Sequence, residues 1–217
     1  MPTTYAHYKF GKEVLSALPR PLQNSIEAHR ELFDIGLHGP DILFYYNALK
    51  KDPVNEQGHT LHEQFADEFF HHAVEVIEKA KDPAAARAYI YGFICHFALD
   101  SECHPYVEKI MQVGRVSHNE IEMELDRMML TEDYHDPLRY LTAKHIQPKM
   151  EYAEVIAPFF KDVTAEQIYK ALKGMVFYHK LFLAPTSGKR KALFLVMQAV
   201  GRYDSLHDIV MSVKPDP

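Results

Sequence analysis

The stretch FICHFALDSECHP, residues 93–105, sets the hardest condition on how this chain folds. It is apolar enough for a buried helix, yet it carries His96, Asp100 and His104 at steps of four. An α-helix returns to nearly the same face every three to four residues, so each of these side chains lies over the one a turn before it. A carboxylate flanked by Phe97 and Leu99 needs a coordinating or charged partner, because an isolated charge is costly away from water. The fold must therefore bring compensating groups to one face of this helix.

The rest of the chain is patterned the same way. Apolar residues recur at three and four, as in Phe65, Phe69, His72 and Val76, or Ile168, Leu172 and Val176. Proline and glycine punctuate the pattern at 18–23, 36–41, 51–58, 81–86, 103–105, 135–137 and 184–189. Capping residues mark several starts: Asn24, Asp82 before Pro83, Ser117 with Glu120, and Thr164 with Gln167. The spacing predicts helices over 9–18, 24–35, 40–50, 60–81, 83–104, 117–132, 137–160 (broken near Pro148), 164–183 and 188–211. Strand-like alternation is absent, so the class is all-α. A length of 217 residues suits one domain spanning 1–217.

Charge and cysteine usage narrow the partners. The formal net charge is -6 and the only basic block is Lys189-Arg190-Lys191, so no broad face for nucleic acid is expected. Cys95 and Cys103 would lie about 12 Å apart along one helix, too far for a disulfide. Both are expected to be reduced, as suits an intracellular protein. The start, MPTTYAHYKFG, holds no apolar core of signal-peptide length, and no run approaches a membrane span. These features point to a cytoplasmic protein with at most transient membrane contact.

Fourteen histidines are many for this length, and their placement suggests metal. His96/Asp100 and His118/Glu122 are His-x3-carboxylate pairs on successive helices, a spacing that lets both heads reach one ion. His104 is rotated by about 80° from His96 on the same helix and faces a neighbouring site. One ion on His96 and Asp100, and another on His104, His118 and Glu122, follow from that spacing. Imidazole with carboxylate favours zinc.

The pattern His96-x3-Asp100-x3-His104-Pro105, followed by His118-x3-Glu122, resembles the bacterial zinc-dependent phospholipase C family, whose fold is shared with single-strand-specific zinc nucleases. His7 in TYAHYKFG, Asp41 in HGPDILFYY and a histidine in GHTLHEQF (His62 or His59) continue the resemblance in the family's order. It implies a compact multi-helix domain of that type holding two or three zinc ions. The first would take Asp41, His62 or His59, His96 and Asp100. The second would take His104, His118 and Glu122. A third would take His7, with Asp100 bridging to the first. Three departures stand out: the chain lacks tryptophan, so Met1 or Pro2 would have to bring an amine to His7; Asp100 and His104 are more closely spaced than in the family; and no C-terminal β-sandwich follows the last helix.

The resemblance further implies a phosphodiester hydrolase. Zinc would activate water for attack on phosphorus, and Asp41 would orient or deprotonate it. The substrate would be a phospholipid head group or another small phosphodiester. Glu63 and Glu102 are candidates to hold outward imidazole nitrogens. Tyr5, Tyr8, Phe44, Tyr45, Tyr46 and Tyr106 are candidates to wall an apolar cleft, although aromatics at helical spacing more often fill a core. His135-Asp136 and His207-Asp208 resemble the His-Asp step of another phosphohydrolase class, whereas His71, His72, His145 and His179 read as surface or core residues. A non-catalytic helical protein that holds metal and binds a phosphorylated ligand is the competing expectation; a nuclease ranks last.

Overall fold

The computed structural model describes residues 4–114 and 116–215, and among these it is all helix and turn without a strand. The first half contains α1 (Thr4–Ala17), α2 (Arg20–Glu27), α3 (Arg30–Gly36), a 3-10 turn (Gly39–Tyr45), α4 (Pro53–Glu63) and α5 (Ala66–Lys79). Then come α6 (Pro83–Gly114), α7 (His118–Glu132), α8 (Met150–Ile156) and α9 (Ala165–Phe182). The chain closes with α10 (Ser187–Ala199), α11 (Tyr203–Leu206) and a 3-10 turn over His207–Ile209. No described helix is long and apolar enough to cross a membrane.

The all-α class holds, with more and shorter helices than the punctuation predicts. The linker expected at 51–58 is the start of α4, because Asp52 caps it and Pro53 sits where its missing N–H costs nothing. The helix expected over 60–81 therefore divides, with Gln64 and Phe65 extended between α4 and α5. Asn24 lies inside α2, which begins four residues earlier beside Pro21. The helix expected over 40–50 is a 3-10 turn that ends in extended backbone at Tyr46. Residues 137–149 form turns, begun where Asp136 accepts from the Leu138 N–H at 2.9 Å, so only the end of the helix expected over 137–160 is present. The break expected at 103–105 does not occur, and α6 runs through Pro105 to Gly114. The helix expected over 188–211 stops at Ala199, where Gly201 takes a positive φ of 65°.

The described chain forms two compact units. The larger takes His7–Leu99 and Lys144–Phe177. Its core joins Leu15 of α1, Ile26 of α2, Phe33 and Leu37 around α3, and Cys95 of α6. Within it α3 meets α6 backbone to backbone. A Cβ on Gly36 would sit 2.1 Å from the Tyr89 carbonyl oxygen, and one on Gly92 would sit 2.2 Å from that of Phe33. Only glycine at both positions permits this approach.

The second unit takes the chain up to Ala6, Asp100–Ala143 and Tyr178 onward. Its organising contact is Asp126, buried on α7, whose two carboxylate oxygens accept the backbone N–H groups of Tyr5 at 3.0 Å and Ala6 at 2.9 Å. A side chain 120 positions away thereby satisfies donors that the first turn of α1 leaves over. Tyr5 also donates its hydroxyl to Asp133 at 2.6 Å. Burial pushes the Asp126 carboxyl up to about 7, against the opposing pull of those two N–H bonds.

Two outcomes follow. Gly36→Ala or Gly92→Ala lowers the unfolding free energy by about 1–3 kcal/mol, whereas Gly188→Ala, where a Cβ meets nothing within 4 Å, stays within about 0.5 kcal/mol of the native chain; urea unfolding compares the three. Asp126 binds its proton more tightly folded than unfolded, so its contribution to stability falls as pH rises from about 4 to about 7. Asp126→Asn removes that contribution. The slope of unfolding free energy against pH over this window should become less negative in the variant, and an unchanged slope would remove Asp126 from the account.

Candidate metal centre

The close crossing of α3 and α6 delivers the next segment to His96. Four residues beyond Gly92, His96 lies on the same helical face, and three residues beyond Gly36 the chain turns at Gly39 with a φ of 48°. A Cβ on Gly39 would fall 2.2 Å from the His96 ring, so bare backbone covers the imidazole. Asp41 follows in the 3-10 turn and is buried, as is His96. His62 comes from the last turn of α4.

Asp41, His62 and His96 each offer a ligand atom, and these atoms lie within 4.8 Å of one another. His62 Nε2 is 3.0 Å from Asp41 Oδ1. The other His62 nitrogen, Nδ1, is 2.7 Å from the Gly58 carbonyl. A carbonyl can only accept, so Nδ1 carries the proton and Nε2 is the nitrogen presented to Asp41. This backbone carbonyl fills the place expected of Glu63. His7 stacks on His96 with ring centroids 4.4 Å apart. Met1 and Pro2, expected to bring an amine to His7, lie outside the described residues.

The second group belongs to the other unit. His104 on α6 and His118 and Glu122 on α7 bring ligand atoms within 4.8 Å of one another. His118 Nε2 is 2.7 Å from Glu122 Oε1, and the His104 and His118 rings stand nearly perpendicular at 5.5 Å. His104 Nε2 is 3.8 Å from Asp100 Oδ2, one turn back on α6. The two imidazoles are about one-third exposed, at 36% and 35%, while Glu122 is buried. Ser117 fixes where α7 begins: its hydroxyl accepts the Glu120 N–H while the Glu120 carboxylate accepts the Ser117 N–H.

Each group is two imidazoles and one carboxylate, a donor set that suits zinc. Zinc is the ion that these groups fit. Of the residues read from the sequence, His62 meets Asp41 and His96, whereas His59 is exposed and lies against Phe44 at 4.4 Å between ring centroids. Among the aromatics, Phe44 stacks near His62 at 5.5 Å and Tyr106 is largely exposed. Cys95 and Cys103 are free, and burial pushes the Cys95 thiol up to about 11.

His145, expected as a surface or core residue, is paired with a second histidine. His38 Nε2 and His145 Nε2 are 2.7 Å apart, and Tyr8 stacks on His145 at 4.0 Å. The partners are 107 positions apart, and His145 lies among turns rather than in the helix expected over 137–160.

Neither a curated protein nor a solved structure matches the chain significantly. A family model described as zinc dependent phospholipase C matches residues 6–174 of the 217. That range contains every candidate ligand position from His7 to Glu122, and by it the chain belongs to the zinc-dependent phospholipase C family.

Proposed function

We propose that the chain is a hydrolase of phospholipase C type that uses a multinuclear zinc centre to cleave a phosphodiester, either a phospholipid head group or another small phosphodiester. The observation that carries this reading is the convergence of Asp41, His62 and His96, from three separate segments, on one point. The ligand run at steps of four along α6, His96, Asp100 and His104, supports more than one ion. The stack of His7 on His96 supports the role that the resemblance gives His7 at a third. Two free thiols support an intracellular setting.

Bound zinc would supply an acidified water and neutralise charge on the phosphate oxygens. The chain's own residues do the rest. Asp41 takes the proton from the attacking water as the new P–O bond forms, and the bond to the leaving oxygen breaks. The leaving oxygen takes up a proton from solvent, so the products are a phosphomonoester and an alcohol. The Gly58 carbonyl accepts from His62 Nδ1 at 2.7 Å and turns the unprotonated Nε2 toward the place that an ion shared with Asp41 would take. The missing side chain at Gly39 leaves the His96 ring the room it occupies. Partial exposure of His104 and His118 leaves that group open to a ligand from solvent.

Protein purified without chelator should carry two or three zinc ions and turn over p-nitrophenylphosphorylcholine. Asp41→Asn should lower turnover by about 10²–10⁴-fold while most zinc is retained by metal analysis. Zinc-loaded protein with no turnover on a panel of phosphodiesters would support the non-catalytic binding protein instead. Separately, His62→Ala should lose a zinc that His59→Ala keeps, counted per chain by mass spectrometry of the metal. Loss on His59→Ala alone would reverse the ligand assignment.

A further inference from the structure

The family match ends at residue 174, yet the segment beyond it makes the contacts that hold the start of α7. Ser117, the residue that caps α7, donates its single hydroxyl proton to Asp208 Oδ2 at 2.6 Å. The other Asp208 oxygen is 2.9 Å from His207 Nε2. His207 is itself fixed, with Nδ1 3.0 Å from the Tyr203 carbonyl and its ring stacked on Tyr203 at 4.7 Å. A second tie lies further along α7. The Ser212 hydroxyl donates to Glu124 Oε1 at 2.7 Å, and Arg127 donates to both the carbonyl and the hydroxyl of Ser212. The ligands His118 and Glu122 fall between these two ties. All the residues involved belong to one compact unit.

We infer that Asp208 is a positioning residue for the His104–His118–Glu122 group, acting through Ser117. The first residue of a helix is where fraying begins, and His118 is the first residue of α7. An imidazole there, one-third exposed and on the outer turn, keeps its place only as well as the cap keeps its own. Groups behind metal ligands set orientation and affinity even though they never touch the ion. The His207-Asp208 step thus has a use in this chain other than the phosphohydrolase motif it resembles. This inference rests on the reading of His118 and Glu122 as zinc ligands.

The test compares the full chain with Asp208→Ala, Asp208→Asn and His118→Ala. Zinc affinity is measured by competition with a chromophoric chelator, and amide hydrogen exchange over 117–124 is measured on metal-free protein. His118→Ala should lose one zinc. Asp208→Ala should weaken that same zinc by about 10–100-fold, spare the other, and speed exchange at the start of α7. Asp208→Asn still accepts from Ser117 and should lie closer to the native chain. Native zinc affinity and native exchange in Asp208→Ala would overturn the inference. If His118→Ala loses no zinc, the metal reading of this group fails, and exchange in Asp208→Ala alone then decides whether Asp208 holds the helix.

Discussion

The structure depends on the contact between Gly36 and Gly92. Two helices packed through side chains ordinarily lie 8–10 Å apart; here each glycine faces the other helix's backbone, with no room for a Cβ. That crossing controls where the chain goes after α3, and so where Gly39 and Asp41 fall relative to His96. A side chain at either glycine would separate the helices and carry the 3-10 turn away from the imidazole. The site is therefore a consequence of backbone packing before it is a matter of ligand chemistry. Asp52 and the Gly58 carbonyl then do for α4 and His62 what the glycines do for Asp41: one starts the helix, the other turns the ring.

The two ligand groups sit in different surroundings. Asp41 and His96 are buried, and His62 is the member of their group that reaches the surface. Asp41 and His96, gathered away from water, lose hydration that a bound cation would compensate, so metal binding would be linked to folding here. His104 and His118 remain partly in water, with buried Glu122 as their carboxylate. Desolvation is smaller there, and geometry rests more on how firmly α7 is held. Metal-free protein should accordingly be weakest at the buried group and most mobile at the open one.

Much of the ligand set was legible because it is local. His96, Asp100 and His104 sit at steps of four on one helix, and His118 and Glu122 repeat the step behind a capping box, so helical geometry alone stacks them. Ser117 with Glu120 and Thr164 with Gln167 cap the helices that they were expected to cap. Asp52 was harder, because Asp-Pro followed by a polar run reads as a linker until the cap is seen closed. The choice between His59 and His62 turned on which one faces the 3-10 turn, a tertiary fact. Asp126 gave no signal, since a carboxylate on an amphipathic helix normally meets water rather than the N–H groups of a distant helix. Residues 137–149 carry apolar periodicity, but Pro148 removes a backbone donor inside the expected helix, and the pattern misled for that reason.

The central claim is that these imidazoles and carboxylates converge because they hold divalent cations. Anomalous diffraction from a crystal, collected on both sides of the zinc absorption edge, tests it most directly. The account predicts zinc peaks about 2.0–2.2 Å from the ligand atoms of Asp41, His62 and His96 and from those of His104, His118 and Glu122. Zinc absent from both groups in protein prepared without chelator, or bound elsewhere, would contradict it.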